Sequence, residues 1–175
     1  DNDVIAIAKR GDQIQIVLNG YSQFYDLTAF DSIYAYALEG NDQIILGSDV
    51  EHFTGVGGDG DDIFTGSNMP DVFDGGIGRD VINGNGGNDS LYGSGSNDRI
   101  AGGDGDDLLD GGAGVDILNG QAGNNTLRGS RGNDNLYANN GLIDVVDGGP
   151  DIDSLTGDAG LDVLSGIEFL NGDPV

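Results

Sequence analysis

Aspartate recurs through the middle of this chain at a fixed interval. Asp62, Asp71, Asp80, Asp89, Asp98, Asp107 and Asp116 stand nine residues apart, Asn125 takes the next place, and Asp134 follows. After one extra residue near Ala138 the series resumes at Asp144, Asp153 and Asp162. Glycine-rich turns lead into these aspartates, as in GGDGDD at 102–107 and GGAGVD at 111–116. That pairing suits one kind of chemistry. Carboxylates supply hard anionic oxygen, and turns free of side chains let backbone carbonyl oxygens converge on a point. Hard divalent cations want such oxygen-only sets, calcium above all, which takes about six to eight oxygens at roughly 2.3–2.6 Å.

Composition points the same way. The 175 residues hold 31 Asp and Glu against 6 Lys and Arg, a formal net charge of -25, so the chain should resist compaction unless cations neutralise it. The same charge repels phosphate backbones and anionic membranes, which argues against a nucleic-acid partner. No cysteine is present, which removes disulfides and thiolate metal sites. No apolar run reaches the roughly 18 residues of a membrane span. The start, DNDVIAIAKRG, lacks the basic-then-apolar order of a signal peptide, so any targeting signal is expected outside this sequence.

The elements that position the aspartates follow from the eighth place of each nonapeptide. Phe64, Phe73, Ile82, Leu91, Ile100, Leu109, Leu118, Leu127, Leu136, Val146, Leu155 and Leu164 are all large and apolar. One apolar residue and several glycines per nine residues leave no face at helical spacing, whereas a short strand puts the eighth place on one side and the seventh and ninth on the other. Fixed-period self-similarity of this kind marks a solenoid whose units bury their apolar residues only by stacking. If successive turns fall on opposite edges, one coil takes two nonapeptides and aspartates eighteen apart stack at about the 4.8 Å strand spacing. One edge then carries Asp62, Asp80, Asp98, Asp116, Asp134 and Asp153, and the other Asp71, Asp89, Asp107, Asn125, Asp144 and Asp162. A cation between stacked turns would convert their repulsion into cohesion.

GGIGRDVIN at 75–83, GGDGDDLLD at 102–110 and GGAGVDILN at 111–119 match the pattern G-G-x-G-x-D-x-U-x in full. Over roughly residues 57–165 the chain resembles the RTX (repeats-in-toxin, haemolysin-type) β-roll. The resemblance implies an all-β, right-handed parallel β-roll with strand and hairpin caps at both ends. It also implies six oxygens per calcium: the second- and fourth-place carbonyls and the aspartate of one turn, with the first- and third-place carbonyls and the aspartate two repeats on. On this chain one site would use Gly76, Gly78 and Asp80 with Gly93, Gly95 and Asp98, and the next Ser94, Ser96 and Asp98 with Gly111, Ala113 and Asp116. Gly58, Gly60, Gly75, Ile77, Gly103, Gly105, Gly112, Gly114, Gly129 and Arg131 take corresponding carbonyl places. Asn125 is expected to make its two sites weak or empty, and the nineteen-residue spacings of Asn125 with Asp144 and of Asp134 with Asp153 put those pairs in doubt, leaving about seven ions or more.

The segments outside this pattern read as ends. Residues 1–40 are expected to form a strand and hairpin cap, with VIAIAKRGDQIQIVLNG at 4–20 as the hairpin. Residues 41–56 read as degenerate first repeats, Gly40-Asn41-Asp42-Gln43-Ile44 being one and Glu51 marking a second. Residues 166–175 supply a closing strand and tail, with SGIEFL at 165–170 as the strand.

Other motifs fail on their own terms. Gly55-Val56-Gly57-Gly58-Asp59-Gly60 fits G-x-G-x-x-G but precedes no helix. The glutamates Glu39, Glu51 and Glu168 have Thr28, Gly40 and Gly157 where an EF-hand needs Asp. Arg10-Gly11-Asp12 reads as a hairpin turn rather than an adhesion motif, and the single His52 has no catalytic partners in sight. The outward seventh places include Ile63, Val72, Val81, Leu108, Ile117, Val145 and Val163; strand propensity alone is the favoured explanation, and contact with a polysaccharide or protein through the outer sheet faces is the other. The expectation is a non-enzymatic, monomeric calcium-binding module of a larger chain. Bacterial secretion is implied by the resemblance, with folding outside the cell, at the surface or free, where calcium is abundant. An adhesive module or the accessory β-roll of a secreted enzyme are the alternatives.

Overall fold

The computed structural model describes residues 2–11, 13–26, 32–51, 53–140, 142–157, 162–167 and 169–170. His52, Asp12, Glu168 and the tail after Leu170 lie outside them. The described residues hold strands and turns and no helix. The strands are β1 (Val4–Arg10), β2 (Gln13–Leu18), β3 (Tyr21–Asp26), β4 (Ile33–Glu39), β5 (Gln43–Leu46), β6 (Phe53–Asp59), β7 (Ile63–Thr65), β8 (Asp71–Ile77), β9 (Val81–Gly86) and β10 (Ser90–Gly95). They continue as β11 (Arg99–Asp104), β12 (Leu108–Ala113), β13 (Ile117–Ala122), β14 (Thr126–Arg131), β15 (Asn135–Ala138), β16 (Val145–Asp147), β17 (Ser154–Gly157), β18 (Val163–Ser165) and β19 (Phe169–Leu170).

From β4 onward, successive strands alternate between two sheets. One runs β4-β6-β8-β10-β12-β14-β16-β18, and the other continues β1-β5-β7-β9-β11-β13-β15-β17-β19. Every pairing in these runs is parallel, and through the middle the register is eighteen residues, as in Leu91 with Leu109 and Ile100 with Leu118. This is the stacked β-solenoid expected of a nonapeptide roll, with two repeats per coil.

The core is the eighth-place ladder. From Phe64 to Leu155 its residues are at most 1% exposed, so each coil buries one apolar side chain from each sheet against its neighbours. Burial of that extent contributes about 1.5–3 kcal/mol per side chain. Leu164, at 39% exposed, lies where the ladder runs out. The seventh places face out: Ile63, Val72, Val81, Val145 and Val163 are exposed, while Leu108 and Ile117 are half-buried.

The N-terminal end is built differently. β1 pairs in parallel with β5 but antiparallel with β2, which pairs antiparallel with β3, so a hairpin extends one sheet past the last coil. Ile5, Ile7 and Ile14 join the core there. Register also revises one sequence expectation, because Phe53, not Glu51, stands across from Asp71. Glu51 stays on the surface, 3.8 Å from Lys9. Phe53 turns inward in the aspartate's place, and Gly55 occupies the apolar place, where a Cβ would meet the rings of Phe73 and Phe53 at 2.8 and 2.9 Å. The Phe53, Phe64 and Phe73 rings pack with centroids 5.5 and 4.9 Å apart and fill that end. At the other end β19 closes the sheet by pairing with β17.

Candidate metal centres at the two edges of the roll

The sixth-place residues form two columns, one along each edge, and each is tied to the next coil in the same way. The backbone N–H of Asp62 donates to Asp80 Oδ1 at 2.8 Å, Asp80 to Asp98 at 2.8 Å, Asp98 to Asp116 at 2.7 Å and Asp116 to Asp134 at 2.7 Å. On the opposite edge Asp71 donates to Asp89 at 2.8 Å, Asp89 to Asp107 at 2.9 Å and Asp107 to Asn125 Oδ1 at 2.9 Å. Asp144 donates likewise to Asp162 at 3.1 Å. The nineteen-residue pairs keep this bond too: Asp134 to Asp153 at 2.8 Å and Asn125 to Asp144 at 2.6 Å. Despite the extra residue between Asp134 and Asp144, the strands on either side remain in register.

One carboxylate oxygen is used in this way, and the other is not. The Oδ2 atoms of Asp62, Asp80, Asp89, Asp98, Asp107, Asp116 and Asp134, and Oδ1 of Asp71, are buried and without a hydrogen-bond partner. An ionised oxygen left so costs several kcal/mol, by an order-of-magnitude reckoning. Burial is the leading cause that pushes the carboxyls of Asp89, Asp98 and Asp134 up to about 7 and those of Asp71 and Asp80 to about 6, and it raises Asp62, Asp107 and Asp116 as well. Neighbouring carboxylates push several of these further, for example Asp80 and Asp116 acting on Asp98.

The glycines show what surrounds those oxygens. A Cβ on first-place Gly57 would overlap both Asp62 Oδ2 and the Gly75 carbonyl oxygen, and one on Gly93 would overlap Asp98 Oδ2 and come within 2.6 Å of the Gly111 carbonyl oxygen. Gly75, Gly111 and Gly129 crowd Asp80, Asp116 and Asp134 in the same way. Second- and fourth-place residues take positive φ, including Gly58, Gly60, Gly76, Gly78, Gly103, Gly105, Gly112 and Gly114, and also Ser94 at 74° and Ser96 at 81°. A Cβ on Gly76 would overlap the Gly58 carbonyl oxygen, and one on Gly78 that of Gly60. The carbonyls of Ser94 and Ser96 bear on Gly112 and Gly114 identically. Third-place carbonyls are partly engaged: Ile77 accepts from Gly60 N–H at 2.8 Å, Gly95 from Gly78 at 3.2 Å and Arg131 from Gly114 at 2.8 Å. Ala113 lies in register with Gly95.

At Asp62, Asp89, Asp98, Asp107 and Asp134 a carbonyl oxygen and an unpartnered carboxylate oxygen therefore meet in a space that a side chain would fill, and a hard divalent cation fits that donor set. Among the described residues no three His, Cys, Asp or Glu side chains come together as a metal-binding group. Two carboxylates per junction and backbone oxygen for the remainder account for this.

The structure adds residues that spacing alone hides. Asp42 heads the first column: its N–H donates to Asp62 Oδ1 at 2.7 Å, and its own Oδ2 is buried and unpartnered. Leu38 and Gly40 hold the second and fourth places of that turn, with φ of 81° and 131°, and their carbonyl oxygens would be overlapped by a Cβ on Gly58 and Gly60. A left-handed leucine is costly, and such strain collects at functional turns. The sequence shows Gly40-Asn41-Asp42 as part of a degenerate first repeat, but the Asp42–Asp62 spacing of twenty leaves Asp42 outside the candidate ligands.

A second ladder runs outside the first. Fifth-place side chains accept from the fifth-place N–H one coil on: Asn41 from Asp61, Asp61 from Arg79, Asn88 from Asp106 and Asn97 from Val115, at 2.9–3.1 Å. These ties need no metal.

A family model for the RTX calcium-binding nonapeptide repeat matches four copies, at residues 56–91, 92–127, 119–142 and 140–166. No curated protein and no solved structure matches the chain. With most of its length accounted for by those four copies, and with buried, unpartnered carboxylate oxygens at the repeat's aspartates, the chain belongs to the RTX calcium-binding nonapeptide repeat family.

Proposed function

We infer that this β-roll is an extracellular module that folds as it takes up calcium. As a member of its family it is a calcium-binding structural repeat rather than a catalytic one. The observation that carries the folding reading is the row of buried carboxylate oxygens without partners on both edges. With those oxygens ionised, the two columns oppose the fold. With calcium between coils they bridge it, and binding energy becomes folding energy. The residues that would hold the ions are the sixth-place aspartates from Asp42 to Asp162, with first-, second- and fourth-place carbonyls between consecutive coils. The bound metal supplies charge neutralisation and cross-linking of coils. About seven ions or more fit the two columns.

Such a dependence suits a chain kept unfolded where calcium is scarce and folded outside the cell. Among the described residues no helix is long and apolar enough to cross a membrane. A second reading, contact with a polysaccharide or protein, is favoured by the outer face near β4, where Tyr34 and Tyr36 are each 62% exposed beside Leu38.

Far-ultraviolet circular dichroism during a calcium titration of chelated protein, with magnesium as control, tests the inference. A cooperative coil-to-β transition in calcium and not in magnesium supports it. A β spectrum that persists unchanged in chelator overturns the folding reading, though not calcium binding itself.

A further inference from the structure

Among the described residues, the junction between Asn125 and Asp144 is built from different side chains. At the place where an aspartate would present Oδ2, Asn125 presents its amide nitrogen: a Cβ on first-place Gly120 would meet Asn125 Nδ2 at 2.7 Å. Across the junction stands Asn140. Its Nδ2 donates to the second-place carbonyl of Gln121 at 2.7 Å, to the fourth-place carbonyl of Gly123 at 2.8 Å and to Asp144 Oδ2 at 3.3 Å. The two carbonyls stand at the second and fourth places of the repeat, which at Gly58, Gly60, Ser94 and Ser96 face the next coil, and the third partner is a sixth-place carboxylate. The amide orientation follows from the network, because Asn140 Oδ1 accepts from Leu142 N–H at 2.7 Å, and a flipped amide would set oxygen against two carbonyls and a carboxylate.

We propose that the Asn140 side-chain amide takes the place of a calcium ion at the junction between Asn125 and Asp144, so that this junction closes without metal and divides its edge into two separate cation stacks. The amide offers two N–H donors, shared among three oxygens, where a cation would offer charge, and it gives Asp144 Oδ2 the partner that Oδ2 of Asp80 and Asp98 lacks. The local sequence agrees: Asn140 is the second residue of NNGLID, a segment that lacks the paired glycines of the full repeats and carries the extra residue. The neighbouring Asp107–Asn125 junction is different in kind, since Asn125 presents Oδ1 to Asp107 N–H and Asp107 Oδ2 is still unpartnered, so it remains a cation site.

The proposal rests on calcium occupying the other junctions. Equilibrium dialysis with calcium counts ions per chain in the unmodified protein, in Asn125→Asp, and in Asn125→Asp with Asn140→Gly. The expected result is the same count for the first two and one more ion for the double variant. A higher count with Asn125→Asp alone, or no gain in the double variant, overturns the proposal. No bound calcium in the unmodified protein instead refutes the reading beneath it. Should the double variant fail to fold, the Asn140 side-chain amide resonances of the ¹⁵N-labelled, calcium-saturated protein decide. Slow exchange with solvent is expected, and exchange at the rate of an exposed asparagine overturns the proposal.

Discussion

The two edges of the roll are made from the same nonapeptide, yet they are not equivalent. One edge runs Asp42, Asp62, Asp80, Asp98, Asp116, Asp134 and Asp153 without interruption, each N–H tied to the next carboxylate. The other is broken at Asn125, where amide nitrogen replaces oxygen and Asn140 fills the gap. Along an uninterrupted column each interior aspartate would, on the proposed reading, face two cation positions, so its loss would reach both neighbouring junctions. Beside the break it reaches fewer. A solenoid of this kind behaves as a one-dimensional chain of coupled interfaces, and the comparison indicates which interfaces depend on metal.

The largest expected effect comes from breaking the continuous edge. Asp98→Ala removes a charged ligand from two junctions, each such bond being worth about 1.5–3 kcal/mol. It should raise the calcium concentration at the folding midpoint by at least tenfold, by an order-of-magnitude reckoning. Asp144→Ala, beside the Asn140 closure, should raise it less when both are followed by circular dichroism. Equal shifts would dissolve the contrast between the edges. Next in size, Leu109→Ala in the shared core should cost about 2–5 kcal/mol in saturating calcium, read from denaturant midpoints. It should shift stability without changing the number of ions bound.

A smaller effect is expected of Gly93→Ala. Gly93 holds no left-handed angle, so its cost, about 1–3 kcal/mol by analogy with overpacking, arises from the Cβ pressing on Asp98 Oδ2 and the Gly111 carbonyl. It should appear as weakened calcium affinity more than as lost β structure at saturation. The smallest effect belongs to Asn125→Asp, which should lower the calcium midpoint only slightly, by improving the junction with Asp107.

Acidity sharpens the comparison between loaded and metal-free states. Burial holds Asp71 and Asp80 near 6 and Asp89, Asp98 and Asp134 near 7, above the ordinary carboxyl value of 3.8. Protonation therefore favours the metal-free fold: this contribution is fully present below about pH 4 and is lost as pH rises through 6 to 7. In chelator, β structure should increase on acidification from pH 8 to 5. In calcium the same protons compete with the ion, so the calcium midpoint should rise. Circular dichroism at fixed chelator or fixed calcium across this range checks both signs.

Much of the architecture was legible because the period is strict. Apolar residues at every eighth place can be buried together in only a few ways, and Leu91, Leu109 and Leu127 stack as their spacing required. What spacing could not show was where extra residues go. The spacing of twenty from Asp42 to Asp62, and of nineteen from Asp134 to Asp153, looks like a break in the count, yet the strands on either side keep their register. Nor does composition distinguish Phe53, which has left the aspartate's place for the core, from Glu51, which stays on the surface. Asn140 was invisible for a similar reason: an asparagine in a degenerate turn carries no signal until its amide is seen among three oxygens.

Whether the orphaned carboxylate oxygens are calcium ligands can be seen by anomalous scattering from crystals grown in calcium. Difference peaks are expected between Asp62 and Asp80, Asp80 and Asp98, and Asp98 and Asp116, each beside a buried Oδ2, with none between Asn125 and Asp144. Crystals of the folded roll in saturating calcium that show no peaks at those oxygens would contradict the account.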